Sequence, residues 1–305
     1  MSGPSIDNIA AAATVDRVLD GRLAGRFGPR REGPGTAARV FSWIVFIAAF
    51  LYFFVPLLAT LDFSLRAKPS NADPAGMSTV AVAYQHVLAD PRFFGSLTYS
   101  FIVGLITIVV SLGLIVPTAY WVRLRLPSVR PIVEFVTLTP FVIPPVIMVF
   151  GLLRSYGGPP FALTGSDIGA SFLLVAAYVV LSFPYMYRAV DVGLRSIDVQ
   201  SLTEAAQSLG AGWPLIILRV ILPNLRVALL SGAFLTMAIV IGEYTIAVFL
   251  FRPAFGPYLS NLGQNRTYEP AAVSLISFGL TWLALGIIGF VGRGSRTRVQ
   301  IGGAR

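Results

Sequence analysis

Six stretches of about 20 residues that carry almost no charge are the feature that most constrains the fold of this chain. They cover residues 40–61, 97–122, 131–153, 168–187, 227–251 and 271–291. A bilayer core about 30 Å thick is crossed by a helix of roughly 20 apolar residues. Inside that core the backbone amides of each segment must be satisfied without water. The sequence therefore predicts an all-α membrane protein with six transmembrane helices.

The overall composition agrees with this prediction. Charged residues make up 12% of the chain and hydrophobic residues 55%, whereas about a quarter of a soluble domain is charged. The alternation of period two that a membrane β-barrel requires is absent. Two acidic residues lie in the apolar stretches, Glu134 near one end of the third and Glu243 within the fifth.

The positions of the arginines predict the orientation. The N-terminal tail, the second-to-third connection, the fourth-to-fifth connection and the C-terminal tail together hold 17 of the 23 basic residues. Because Lys and Arg accumulate in cytoplasmic segments, we expect both termini to be cytoplasmic. The net charge of +9 is explained by tails that face anionic lipid headgroups, so no nucleic-acid partner is expected.

The ends of the chain differ from its apolar centre. Residues 1–39 are polar and rich in Gly and Arg, without an apolar core and a small-residue cleavage site, so they predict a flexible cytoplasmic tail and no removable signal peptide. Residues 40–291 form the predicted membrane domain. Residues 292–305 are expected to be a cytoplasmic C-terminal tail.

Residues that carry enzyme chemistry are scarce in this sequence. The chain has one histidine, His86, and no cysteine, which leaves too few groups for a His-rich metal site or a Ser-His-Asp arrangement. It also lacks the Gly-rich loop followed by Lys-Ser/Thr that grips nucleotide phosphates. We therefore expect a non-catalytic chain that binds neither a metal nor a cofactor of its own.

The longest polar connection, residues 188–226, separates the fourth and fifth apolar stretches. Its centre predicts a short helix that Ser201 or Thr203 can cap, with a small Ala205-Ala206 patch that permits close approach. The residues expected to end this helix are Gly210, Gly212 and Pro214. Because so short a helix is marginal alone, we expect a partner surface to stabilise it.

The spacing of seven residues in this connection is specific. The pattern is Glu204-Ala205-Ala206, then Gly210, then Val220, and finally Leu222-Pro223. It resembles the signature of permease subunits of bacterial binding-protein-dependent ABC importers, although Val220 stands where Ile is usual. The resemblance implies a type I ABC importer permease fold and a coupling helix at about 201–213. It also implies that Glu204, Ala205, Ala206 and Gly210 couple the chain to an ATPase, with Leu222 and Pro223 ending the motif.

The resemblance further implies a set of partners. Two ATP-binding subunits would bind ATP and Mg²⁺ and hydrolyse the nucleotide. A second permease subunit, either a different chain or a second copy, would complete the translocation pathway. An extracytoplasmic solute-binding protein would deliver the solute to a multi-pass protein of the bacterial cell membrane.

Two weaker features bear on the substrate. Pro144 and Pro145 interrupt the third apolar stretch and could form a pathway wall or a simple kink. Glu243, followed by Tyr244, could contact an organic cation or could form a hydrogen bond between spans. The third stretch is similar to that of polyamine and iron permeases, so spermidine or putrescine is the first expectation. The Gly-Glu-Tyr segment is similar to that of sulfate and molybdate permeases, so sulfate, molybdate, iron, phosphonate or sugar remains open.

A channel or a proton-coupled carrier that works alone is the alternative from another class. Such a protein needs a selectivity filter or several intramembrane charges that relay protons. This sequence offers chiefly Glu243 for that purpose. The importer is therefore the favoured interpretation.

Overall fold

A computed structural model describes residues 36–66 and 82–293 of the chain. The predictions for most of the N-terminal tail, for residues 67–81 and for the C-terminal tail from residue 294 lie outside the described residues. The described residues form helices and short turns. In chain order the helices are α1 Thr36–Ser64, α2 Val82–Ala89, α3 Pro91–Leu124, α4 Arg130–Val142, α5 Pro145–Tyr156, α6 Asp167–Arg195, α7 Val199–Ser208, α8 Trp213–Asn224, α9 Arg226–Gly242, α10 Thr245–Phe249, α11 Phe255–Asn265 and α12 Glu269–Arg293.

The chain divides into two compact units, Met1–Leu58 and Ala59–Arg305. The described part of the first unit is the N-terminal portion of α1, and most of its apolar side chains from Val40 onward are exposed. The second unit contains the remaining helices.

Three of the helices are long and apolar enough to cross a membrane: the Val40–Ser64 part of α1, and the whole of α3 and α6. Two helix pairs meet this criterion only when each pair is counted as one bent span: α4 with α5, bent by 98°, and α8 with α9, bent by 83°. The first twelve residues of α12, Glu269–Leu280, form a shorter apolar helix. The all-helical membrane architecture expected from the sequence is therefore present.

The third and fifth apolar stretches differ from the continuous helices that the sequence predicts. The third is divided between α4 and α5 at Ile143 and Pro144, whose backbone is extended. The fifth is interrupted at Glu243 and Tyr244, between α9 and α10. Two consecutive prolines, Pro144 and Pro145, stand at the first interruption, and each lacks the amide that would continue the helix hydrogen bonds.

The centre of the second unit is a bundle of α3, α6 and α9, which pack closely on one another. Small residues permit this approach: a Cβ atom added at Gly193 of α6 would lie 2.6 Å from Cβ of Ala228 on α9. Hydroxyl groups also join the helices. Ser182 Oγ of α6 donates to the carbonyl of Val179, so its 2.6 Å contact with Ser111 of α3 has Ser111 as the donor. Small and hydroxyl-bearing residues are the usual means by which helices pack in a membrane.

A smaller apolar cluster, made of Val87, Phe93, Phe255 and Val273, packs α2, α3, α11 and α12 together. Beside it, the Nδ1 atom of His86 lies 3.1 Å from the Glu269 carboxylate. The only histidine of the sequence therefore joins α2 to the start of α12.

Candidate functional site

The signature residues from Glu204 to Ala206 lie on α7, a ten-residue helix. Asp198 is its N-cap, because the Asp198 carboxylate accepts hydrogen bonds from the backbone amide and the hydroxyl of Ser201, at 3.1 and 2.7 Å. The predicted caps, Ser201 and Thr203, are therefore wrong, and the helix starts earlier, at Val199. Hydrogen bonds from the Ser201 side chain and then from its amide lower the pKa of Asp198, since both stabilise the ionised carboxylate.

The two faces of α7 differ in burial. Val199, Thr203 and Ala206 are buried, and their spacing of four and three residues places them on one face of the helix. Glu204 and Ala205 lie on the opposite, exposed face. The expected small patch is thus divided, because Ala205 faces outward and Ala206 packs into the protein.

The buried face of α7 is joined to α3 by a hydrogen bond between side chains. Tyr120 Oη and Thr203 Oγ1 lie 2.9 Å apart, and Thr203 Oγ1 donates to the carbonyl of Val199 at 2.7 Å. The single hydroxyl hydrogen of Thr203 is thereby used, so Tyr120 donates and Thr203 accepts. Tyr120 is fully buried. The bond fixes an otherwise short helix to a bilayer-length one.

A glycine ends α7. Gly210 has a φ of +79°, and its amide donates to the carbonyl of Gln207 at 2.8 Å, while the amide of Ala211 donates to the carbonyl of Ala206 at 3.0 Å. These two bonds form a Schellman motif, in which glycine adopts the left-handed conformation at little cost. Leu209, just before the glycine, is 89% exposed.

Trp213 begins α8 and lies against the end of α3. Its ring is 5.9 Å from that of Tyr120 and 4.7 Å from that of Trp121. The guanidinium carbon of Arg125 lies 5.6 Å from its centroid, a cation–π distance. The turn after α7 is therefore attached to the same helix as α7 itself.

The last part of the signature forms a wide helical turn. Ile216–Ile221 is π-helical, and Leu222 donates from its amide to the carbonyl of Ile217, five residues earlier. This wider path accommodates Pro223, whose ring would clash with the carbonyl four residues earlier in an α-helix. The chain then bends at Leu225, which is buried, into α9.

Glu243 stabilises the interruption of the fifth stretch. Its carboxylate accepts the backbone amides of Ile246 at 2.8 Å and Ala247 at 3.2 Å, which lie in the first turn of α10. It also accepts the hydroxyl of Tyr178 on α6 at 3.0 Å. The geometry agrees with the structural alternative for this residue, a hydrogen bond between spans.

Tyr244 lies beside a cavity of about 500 Å³ between α9, α11 and α12. Tyr244 is among the lining residues, together with Ser260, Ser274 and Ser277. Among the described residues, those that line this cavity carry no charge. Pro144 and Pro145, the other predicted pathway residues, lie elsewhere, at the junction of α4 and α5.

Tyr120, Trp213 and Asp198 are site residues that the sequence reasoning missed. A tyrosine at the end of an uncharged stretch was the available signal, since a buried tyrosine usually finds a hydrogen-bond partner. Nothing in the sequence identifies that partner as Thr203, 83 residues later.

Three helices of bilayer length, two bent helix pairs that pass the same test and a short helix with one exposed face are typical of an α-helical membrane subunit that docks on a partner. Residues 110–294, more than half of the chain, match the family described as binding-protein-dependent transport system inner membrane component. The chain belongs to this family. It is a permease subunit of an ABC importer, a multi-pass protein of the inner membrane that works with a binding protein and ATPase subunits.

Individual relatives agree with the family. The molybdenum transport system permease protein ModB of Escherichia coli K12 is 31% identical over 165 residues, which are 51% of this chain and 67% of that protein. The permease PhnV of Salmonella paratyphi A, named for 2-aminoethylphosphonate transport, is 25% identical over 258 residues, 82% of this chain and 91% of that one. These names do not include a polyamine.

A solved structure shows the same fold. It is a chain of a bacterial alginate ABC transporter in complex with a periplasmic protein that holds an alginate pentasaccharide. The TM-score is 0.58 at 15% identity, over 88% of this chain and 96% of that chain. The likeness supports the type I importer permease fold.

Proposed function

We propose that this chain forms half of the translocation pathway of an ABC importer and that residues 199–213, the coupling segment, dock on an ATP-binding subunit. The observation that carries the proposal is the division of α7 into two faces. Glu204, Ala205 and Leu209 are exposed, whereas Thr203 and Ala206 pack on the bundle.

A helix with one exposed and one buried face can bind a partner subunit and transmit the partner's movement to the membrane helices. An 89% exposed leucine beside an alanine and a carboxylate offers a partner apolar surface with a polar rim, as interfaces do. The buried side is fixed to α3 by the Tyr120–Thr203 bond and by Trp213. A displacement of the exposed face would therefore move α3 together with α7.

We propose six membrane crossings with both termini in the cytoplasm. The crossings would be α1, α3, the α4–α5 pair, α6, the α8–α9 pair with α10, and α12. An even number of crossings returns the chain to its starting side, as the 17 arginines in the tails and in two connections require. Two ATP-binding subunits and a second permease subunit would complete the importer.

We propose a small oxyanion, of the molybdate or phosphonate type, as the solute. Two of the relatives, named for molybdenum and for 2-aminoethylphosphonate transport, support this class. The Glu243 carboxylate, one of the two features that favoured a polyamine beside the likeness of the third stretch, is already bound by three donors. A cavity with no charged lining gives a polycation no counter-charge.

The coupling role is tested with Glu204→Lys. We expect normal amounts of the variant in the membrane, reduced copurification of the ATPase and a loss of uptake. Asp62→Lys makes the same charge change at another exposed acidic residue, and it should transport normally. Uptake by Glu204→Lys at the unmodified rate would show that the exposed face of α7 does not couple the permease to ATP hydrolysis.

The solute class is tested on the partner binding protein. Calorimetry should detect binding of molybdate or 2-aminoethylphosphonate and no binding of spermidine or putrescine. Binding of a polyamine alone would refute the oxyanion assignment and leave the coupling role unaffected.

A further inference from the structure

A second cavity, of about 650 Å³, lies between α4, α6 and α9. It is near the end of α6 that leads into the coupling segment: Arg188 is seven residues from the end of that helix, or about 10 Å along its axis. The walls are mostly apolar and include Leu138, Phe141, Val192 and Leu235. Of the lining residues that the structure describes, Arg188 is the one that carries a charge.

Three other polar side chains of this cavity already donate to backbone carbonyls. Asn224 Nδ2 donates to the carbonyl of Val220 at 2.7 Å. The hydroxyls of Ser196 and Ser231 donate to the carbonyls of Gly193 and Val227, at 2.7 and 2.9 Å. The two hydroxyls are therefore left to act as acceptors.

Arg188 and Tyr185 are the exceptions. Neither side chain hydrogen-bonds to any part of the chain that the structure describes, and both line the cavity. They are three residues apart on α6, which puts them on one face of the helix. The pair offers a guanidinium and a phenol as donors.

Neighbouring arginines contrast with Arg188. Arg195, on the same helix, lies 2.7 Å from the Asp191 carboxylate, and Arg130 lies 3.3 Å from it. Arg130 also binds Glu134, at 2.8 Å. Asp191 and Glu134 are thus bound by other arginines. Arg188 is exposed at the mouth of a cavity with mostly apolar walls, and its charge, which no carboxylate of the described chain binds, attracts anions.

We propose that Arg188 and Tyr185 form a binding site for a tetrahedral oxyanion, occupied by the solute as it leaves the permease. The inference rests on the proposed function and specifies a residue that recognises the solute. The planar fork of a guanidinium matches two oxygens of such an ion, and the phenol can donate to a third. A site of two side chains binds weakly, as release requires.

The test uses the complete importer, with its binding protein, in proteoliposomes. Arg188→Gln should slow molybdate uptake about tenfold or more, the loss expected for a hydrogen bond to a charged group. The ATPase activity stimulated by the binding protein should persist, so more ATP is hydrolysed per ion transported. Arg188→Lys should recover part of the rate, and Tyr185→Phe should lose less than Arg188→Gln.

Arg195→Gln is the matched control, because it removes the same charge from the same helix outside the cavity. It should transport at nearly the unmodified rate. Equal losses in Arg188→Gln and Arg195→Gln, or normal uptake by Arg188→Gln, would overturn the inference. Oxyanion binding by the isolated binding protein is measured separately, so a failure here is distinguishable from a failure of the proposed function.

A phospholipid phosphate has the same chemistry and is distinguished by native mass spectrometry. We expect wild type and Arg188→Gln to carry the same lipids after detergent washing. A phospholipid retained by the wild type and lost from Arg188→Gln would assign the site to lipid and overturn its assignment to the solute.

Discussion

Replacing Thr203 by valine tests the attachment of the coupling segment to α3. Valine keeps the shape of threonine and removes Oγ1, the atom that accepts the Tyr120 hydroxyl at 2.9 Å. Tyr120 is 0% exposed and Thr203 is 4% exposed, so water cannot readily replace the lost acceptor. The variant therefore leaves a buried donor without a partner.

The expected cost follows from that unpaired donor. An orphaned buried group costs about 1–3 kcal/mol, whereas a paired neutral hydrogen bond contributes only about 0.5–1.5 kcal/mol. Tyr120→Phe alone should cost about 1 kcal/mol, because Thr203 still donates to the Val199 carbonyl. The double variant has no orphaned donor. It should be more stable than Thr203→Val alone by roughly 1 kcal/mol.

Denaturant unfolding of the purified permease, followed by tryptophan fluorescence, measures these free energies. The ratio of ATP hydrolysed to solute transported measures coupling in the complete importer. We expect Thr203→Val to raise this ratio and the double variant to lower it again. Thr203→Ser keeps the hydroxyl and is the control, with a smaller change in both measurements.

Two outcomes would refute the proposed hydrogen bond between Tyr120 and Thr203. If the double variant is destabilised by the sum of the two single costs, the two hydroxyls do not interact. If Thr203→Val unfolds at the same denaturant concentration as the wild type, Tyr120 has another partner. In either case the attachment of α7 to α3 rests on apolar packing alone.

Three further predictions concern the backbone and the helix cap. Gly193→Ala should destabilise the chain by about 1–3 kcal/mol in the same unfolding assay, because its Cβ would crowd Ala228; Gly113→Ala, where a Cβ meets nothing within 4 Å, should be neutral or stabilising. Phe251 has a φ of +54° and is 86% exposed, so Phe251→Gly should increase stability by about 1 kcal/mol. Asp198 has a lowered pKa, so its ionised carboxylate stabilises α7 at every pH above the ordinary pKa of 3.8, and this stabilisation is lost as the pH falls through the lowered pKa. In Asp198→Asn, which still caps the helix, the protection of α7 amides from hydrogen exchange should no longer depend on pH in this way.

The membrane helices could be predicted because the bilayer acts on each segment separately. Length and lack of charge within one stretch decide whether it can cross, and both are properties of local sequence. The predicted second and fourth stretches, 97–122 and 168–187, lie entirely inside α3 and α6. The helices extend further because their polar ends leave the apolar layer while keeping their backbone hydrogen bonds.

The breaks within the third and fifth apolar stretches could not be predicted from local sequence. A proline within an apolar stretch is compatible with a kink or a break, and the 98° bend at Pro144 depends on how α4 and α5 pack. At Glu243 one of the three partners is the hydroxyl of Tyr178, 65 residues away. Contacts between distant segments leave no periodic signal in either stretch.

The start of α7 shows how packing selects among local caps. Asp198 and Ser201 are both favourable N-caps, and the sequence alone does not separate them. Starting the helix at Val199 places that valine on the buried face with Thr203 and Ala206. The buried apolar area favours the longer helix, and the Ser201 hydroxyl then donates to Asp198 instead of capping.

The role of Glu243 follows from the cost of interrupting a helix inside a bilayer. A break leaves the first amides of the next helix without intrahelical acceptors, and lipid supplies none. Glu243 provides acceptors for two of these amides, in Ile246 and Ala247, and it also accepts the hydroxyl of Tyr178. A carboxylate used in this way cannot also attract a polycation without exposing the amides again. Under the proposed function, selection of the solute by charge would fall to another residue, and Arg188, with no carboxylate bound to it in the described chain, is available for that purpose.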